Sequence, residues 1–352
     1  MVSKLETARA QFALNLLRTS SKGDQNCFLS PVSMSVALAM TYVDAADKKK
    51  LQMNQVMFSG TTSDEEVHAS FRELVSKLSE AKNGCELTTA NKMYAPKGVA
   101  MLSNFADKLS KHYRNSVHAV DFINETDSAR KETNGKDAET TKQRIKDLLA
   151  PDVLTTDIRF VLFNTIYFKD ERAEQFMDYR TEHATFYATS NEEREVDMMY
   201  LRKYFKYSDH PDCEVLGMYY KGSDLAMYVF LPKKRDGLAE LENNLTGARM
   251  LRLIKGGQFT EVEVHLPNFK LEMNFRLDET LSSLGISNLF DYNKADLSNI
   301  TGDRNICCST AIHKVFAEMG LADPPPTFVA DHPFLFTISD GKSLFFLGRF
   351  TG

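Results

Sequence analysis

The stretch FVADHPFLFTISDGKSLFFLGRF (328–350) governs how the rest of the chain is read. Two β-rich apolar runs flank Asp340-Gly341. That dipeptide tolerates the positive φ of a tight turn, so the pattern predicts a β-hairpin near the C-terminus. Working back from it, AMYVFLP (226–232) and EVEVHLPNFKLEM (261–273) supply further strands. RFVLFNTIYF (159–168) is a nearly continuous apolar run of strand length, as expected of a strand covered on both faces. One helix is expected in this half, from Asp278 to Leu284, with Gly285 as its stop.

Ahead of residue 159 the pattern is helical. Leu5, Ala8, Phe12, Ala13 and Leu16 share one face of a helix. Ser30-Pro31 places a hydroxyl cap before a first-turn proline and opens a second helix through Met34, Leu38 and Met40. Thr62 with Glu65 forms a capping box before Val67, Phe71, Leu74 and Leu78. Another helix is expected from Asn104 through Leu109 to Tyr113. Helices gathered early and strands late imply an α+β fold with large sheets, not an alternating parallel one. There is no internal repeat or low-complexity tract. The polar stretch Asn124 to Gln143 reads as a join within one domain spanning residues 1–352.

The 352 residues include 43% hydrophobic and 26% charged side chains, ordinary for a globular protein with a large core. A net charge of −5 gives no electrostatic footprint for nucleic acid or an anionic membrane. No run approaches the ~20 apolar residues of a membrane-spanning helix. The N-terminal MVSKLETARAQFALNLL lacks a signal peptide's apolar core, which places the expected location in the cytoplasm. Five cysteines (Cys27, Cys85, Cys213, Cys307, Cys308) have no metal-ligand spacing and are expected to be reduced thiols. Sequons at Asn124, Asn244 and Asn299 matter only on a secretory route.

The chain carries no phosphate-cradling loop, no HExxH pair, no EF-hand loop and no nucleophile elbow. His313 in AIHKVF reads as a satisfied core histidine in preference to a base or ligand. Lys108, Lys111 and Arg114 form a basic stripe whose ordinary reading is a solvated helix face. The 15 methionines are dispersed and read as core filler. Nothing builds an active site, so the chain is not expected to be an enzyme and requires no cofactor or metal.

The chain resembles the serpin family over nearly its whole length. FVADHPFLFTI (328–338) resembles the family's C-terminal signature, and LFFLGRF its ending. NCFLSPVSMSVALAM (26–40) resembles an early buried helix, and FNTIYFK (163–169) a central strand of the large sheet. MYYKGSDLAMYVFLP, GLAELENNLT, VEVHLPNFKLE, LGISNLF with ADLSNI, and AIHKVFAE follow in family order. The resemblance implies a single-domain fold of three β-sheets and about nine helices, and a monomer. It also implies suicide inhibition of a serine or cysteine protease as partner. A protease cuts an exposed loop, whose N-terminal half then inserts as a strand into the large sheet, as in the general case of serpin loop insertion. By motif, the family's shutter maps onto Ser30, Ser33, Asn164 and His313. Family members without a leader are sometimes exported by an unconventional route.

Three positions depart from the pattern. Lys136 and Arg172 stand where the family carries tryptophan, and Asp44 where it favours glycine. A larger departure follows AIHKVFAE. Glu318 is followed by MGLADPPPT and then at once by Phe328. Nine residues, ~30 Å when fully extended, replace a hinge and bait loop that are normally several times longer. Pro324, Pro325 and Pro326 cannot extend a central strand, and Gly320 and Ala322 are at most the remnant of a hinge that begins at Glu318. The expected protein is therefore a non-inhibitory or defective serpin. The alternative is an active inhibitor whose full loop is absent from this sequence.

Overall fold

A computed structural model describes residues 2–20, 25–43, 47–60, 63–79, 85–99, 101–121, 130–131, 135, 161–170, 181–220, 222–291, 310–317 and 327–352. Eight helices lie among them: α1 (Lys4–Ser20), α2 (Pro31–Tyr42), α3 (Asp47–Phe58), α4 (Asp64–Ser79), α5 (Ser103–Tyr113), α6 (Leu238–Asn244), α7 (Gly247–Gly256) and α8 (Leu277–Ser283). The α6 and α7 pair corrects the expectation of one helix in the second half. Both are short, and α7 depends on Thr246, whose hydroxyl accepts the Arg249 N–H at 3.2 Å.

Fourteen strands form two hydrogen-bonded sheets among the described residues. The smaller has the order β10 (Leu271–Arg276), β11 (Thr310–Ala317), β4 (Val161–Asp170), β2 (Cys85–Pro96), β3 (Val117–Val120). The larger begins with β1 (Cys27–Leu29), β14 (Leu344–Phe350), β13 (Phe334–Ser339), β8 (Ala226–Pro232) and β7 (Cys213–Tyr219). It continues through β6 (Glu192–Asp209) to β9 (Gln258–Pro267) and β12 (Thr327–Val329), with β5 (Glu182–Thr189) also on β6. The third sheet expected of the fold is hydrogen-bonded into this one through β6. The opening residues of that strand pair with β5, its last residues with β7, and β9 spans most of the rest.

The hairpin expected at Asp340-Gly341 is β13–β14, with Gly341 at φ +80°. EVEVHLPNFKLEM does not form one strand. It breaks after Pro267, and its halves, β9 and β10, enter different sheets. The early β1, β2 and β3 interrupt a half that reads as helical.

Among the described residues nearly all of the buried apolar side chains form one continuous core. Every residue of α2 is buried, as a helix apolar all round requires. It packs on β14 of one sheet and on β4 and β2 of the other. At the seam Phe28 stacks on Phe336 and Phe346, with centroids 5.5 and 5.4 Å away. Gly348 is obligatory there, because a Cβ would lie 2.6 Å from the Phe336 ring and 2.7 Å from the Cys27 carbonyl. Beside it, buried Arg349 pairs with Glu242 at 2.8 Å and donates to the Leu17 carbonyl at 3.3 Å. A buried carboxylate needs such a partner, since burial alone pushes Glu242 upward.

Candidate functional site

The site is built around the middle of the five-stranded sheet and the helix beneath it. Ser30 follows β1 and caps α2. Its Oγ accepts the Ser33 N–H at 3.3 Å and donates to the Phe345 carbonyl at 2.6 Å, wholly buried. One hydroxyl thus ties a helix start to β14. Ser33 is likewise buried in the first turn of α2.

Asn164 and His313 are register partners on the adjacent parallel strands β4 and β11. Continuing across the sheet, Asn91 of β2 pairs with Asn164, and Phe275 of β10 pairs with His313. The backbone therefore sets Asn91, Asn164 and His313 in one row, and α2, which carries Ser33 and is capped by Ser30, packs on the strand in the middle. The side chains of Asn164 and His313 lie outside the described residues. Asn91 escapes a reading of the sequence because a lone asparagine in a β-run carries no local signature.

Around this row the sheet has a particular edge structure. β11 is flanked on both sides, antiparallel by β10 and parallel by β4. The parallel ladder runs over seven pairs, from Thr310↔Val161 to Phe316↔Tyr167. β11 ends at Ala317 and β12 begins at Thr327, so nine residues, 318–326, connect them. Glu318, Gly320, Ala322, Pro324, Pro325 and Pro326 lie outside the described residues, as do Asp44, Lys136 and Arg172.

The far end of that connection is firmly anchored. Phe328 is buried, β12 pairs parallel with β9, and Ala330 N–H donates to the His265 carbonyl at 2.9 Å. Buried His332 bonds through Nδ1 to Asp331 at 2.7 Å and through Nε2 to the Pro232 carbonyl at 2.8 Å. Asp331 also receives Arg235 at 3.3 Å, and that guanidinium stacks 3.6 Å above the Tyr187 ring. The DHP triplet at 331–333 held the signal for this anchor: an acid beside a histidine inside an apolar run.

Among the described residues neither sheet nor seam assembles a catalytic constellation, and no group of three or more metal-ligating side chains occurs. Cys213 is buried and outside any disulfide. Burial, reinforced by Asp212, pushes its thiol up to about 12, which removes it as a nucleophile. No helix is long and apolar enough to cross a membrane among the described residues.

Comparison with known proteins agrees with this architecture. Residues 7–352 match the family described as "Serpin (serine protease inhibitor)". Serpin B6 of Macaca fascicularis is 35% identical, covering 99% of each chain. The leukocyte elastase inhibitor of Homo sapiens is 34% identical, covering 99% of this chain and all of its own. Among solved structures, uncleaved ovalbumin superposes with a TM-score of 0.91 at 25% identity, covering 99% of both chains. Serpin48 of Tenebrio molitor gives 0.86 at 27% identity, covering 99% and 98%. With the fold, the motif order and these relatives in agreement, the chain belongs to the serpin family, which is described as one of serine protease inhibitors and not of enzymes.

Proposed function

We propose that this chain is a serpin scaffold unable to complete suicide inhibition of a protease. The observation that carries the proposal is the nine-residue connection from Ala317 to Thr327. Both edges of β11 are occupied, so a segment leaving Ala317 and turning back as a strand must break open a ladder on one side. Separating β11 from β4 is favoured, because a strand antiparallel to both replaces one parallel pairing with two antiparallel ones. Filling seven pairs takes seven residues, and the turn takes about two more. Residues 318–326 are then exhausted, and three of them are prolines with no N–H to donate. Nothing is left to present to a protease.

The length of the relatives is compatible with a shortened segment. The alignment with Serpin B6 runs over 372 positions against 352 residues here, so that relative has at least 20 residues without a counterpart in this chain. In this reading Ser30, Ser33, Asn164 and His313 are the polar shutter beneath the closed sheet, supported by α2 packing on β4 and by the shared register of Asn164 with His313. One continuous core supports a single domain, and buried thiol Cys213 fits a reducing cytoplasm.

Incubation with elastase-, trypsin- and chymotrypsin-like enzymes should give cleavage or no reaction, and no complex that survives boiling in detergent. A single covalent complex of that kind overturns the proposal. A second reading, an active inhibitor with a longer loop, is favoured by the extra residues in the relatives. Transcript sequencing across codons 315–330 decides it, since a small-residue hinge and bait segment there would establish the longer form.

A further inference from the structure

A cleft of about 110 Å³ opens between α1, α4 and the turn that joins β13 to β14. Arg9 of α1, Lys77 of α4 and Lys342 of the turn line it, with the Ser70 and Ser343 hydroxyls and two carboxylates, Glu6 and Glu73. The carboxylates are already engaged. Glu6 accepts the Ser3 N–H at 2.9 Å and lies 3.9 Å from Lys255, while Glu73 holds Lys77 at 3.2 Å. Lys77 also reaches Asp340, at 3.6 Å.

Arg9 has no such partner among the described residues. Its guanidinium makes no hydrogen bond or ion pair with them, and its Nε is shielded from solvent with no acceptor in reach. Loss of hydration outweighs the surrounding carboxylates and pulls this arginine below its ordinary range. Arg9 as a residue is only half-buried, but a shielded Nε without an acceptor is costly, and native proteins satisfy such groups with water or an ion. The cleft is large enough for a few waters or one oxyanion. Arg9, Lys77 and Lys342 face three carboxylates, Glu6, Glu73 and Asp340, and Lys255 beside Glu6 is the fourth cation that leaves one positive charge in excess. Lys342, on the exposed turn, makes no ion pair among the described residues.

We propose that this cleft binds a small tetrahedral oxyanion of the phosphate or sulfate class. The flat fork of Arg9 would supply the main contact, and Lys342 with the Ser343 hydroxyl would close over it from the turn. Guanidinium geometry favours this class, because two parallel N–H groups match two oxygens of one tetrahedron. Bound there, the anion would tie α1 and α4 to the C-terminal hairpin.

The test uses the full chain, with thermal melting and calorimetry in inorganic phosphate, sulfate or O-phosphoserine, each against chloride at matched ionic strength. A saturable rise in melting temperature at low millimolar anion is expected. Arg9→Gln should bind at least tenfold more weakly, and Lys342→Gln several-fold more weakly. Arg9→Met should melt no lower than wild type without oxyanion and lower than wild type in phosphate. Tighter binding of O-phosphoserine than of inorganic phosphate would identify a phosphomonoester as the ligand. A rise that never saturates and is equal in wild type and Arg9→Met is general salt exclusion from the surface, and it overturns the proposal. The absence of any rise does the same. If the Arg9 variants do not fold, calorimetry on Lys342→Gln against wild type decides, and equal affinities refute the site.

Discussion

Ser30 holds two regions of the molecule with one oxygen, as a cap for α2 and a donor to Phe345. Ser30→Ala removes a cap worth about 1 kcal/mol and strands a buried carbonyl at a cost of about 1–3 kcal/mol. A loss of about 2–3 kcal/mol is expected, read as a lower urea midpoint with an unchanged slope. A change below about 0.5 kcal/mol would mean that water replaces the hydroxyl. The cap is legible in the sequence, because a hydroxyl before a first-turn proline has a local cause. Its partner, 315 residues away, is not. The capping box of α4 shows an ambiguity of another kind. Thr62 and Ser63 each precede a glutamate by three residues, so the sequence permits two boxes. The structure forms Ser63–Glu66, with reciprocal bonds of 3.1 and 3.3 Å, while Thr62 of the expected box lies outside the described residues.

Between elements, the α4–α5 contact is set by polar groups. His68 of α4 bonds to the Tyr113 hydroxyl of α5 at 2.9 Å, and the His112 ring lies 5.2 Å from it. Arg72 meets His112 at 2.9 Å, while Asp64 pairs with Lys50 and accepts from Tyr42 at 2.6 Å. Burial first, then His112, lowers His68 to about 4. The unfolded chain takes up this proton near pH 6.5 and the folded chain near 4, so stability falls as pH drops through that window. His68→Gln should flatten the melting-temperature profile from pH 6.5 to 4, recovering about 1 kcal/mol after allowance for partial exposure. A profile unchanged by the substitution refutes the assignment.

Elements with a strong period or unmistakable ends are legible: α1, α4, α5, β4, β8 and the β13–β14 hairpin. The β9–β10 break is not: its only trace is Pro267 and a one-residue slip of the alternation, from Val262, Val264 and Leu266 to Phe269, Leu271 and Met273, and both flanks still read as strand, so nothing local announces the change of sheet. Likewise α6 and α7 are too short for a periodic signal, and tertiary packing sustains them.

At the scale of the molecule, motif order identifies the family, but the shape of the large sheet depends on pairings that no single segment announces. The inhibitory defect is proposed to lie in one connection and not in the scaffold. Replacing residues 319–326 with a segment of about 20 residues, beginning with small side chains and free of proline, should therefore restore a detergent-stable complex with a serine protease, because the added length covers both strand and bait. Failure of the graft in a well-folded protein would place a defect in the sheet itself, beneath which Ser30 and Ser33 lie. The row of Asn91, Asn164 and His313 is two-thirds legible: two members come through family motifs, and the third requires strand register.

The pairing of β1 with β14 has a consequence during synthesis. Cys27–Leu29 finds its partner only at residues 347–349, and the wholly apolar α2 follows it at once. At a translation rate of ~5–20 residues per second, this segment leaves the ribosome roughly 15–60 s before its partner exists. For that interval Phe28 and the flanks of α2 are exposed on a nascent chain, a natural client for a holding chaperone. The closing strand of the hairpin, among the last residues to emerge, lets the molecule shut.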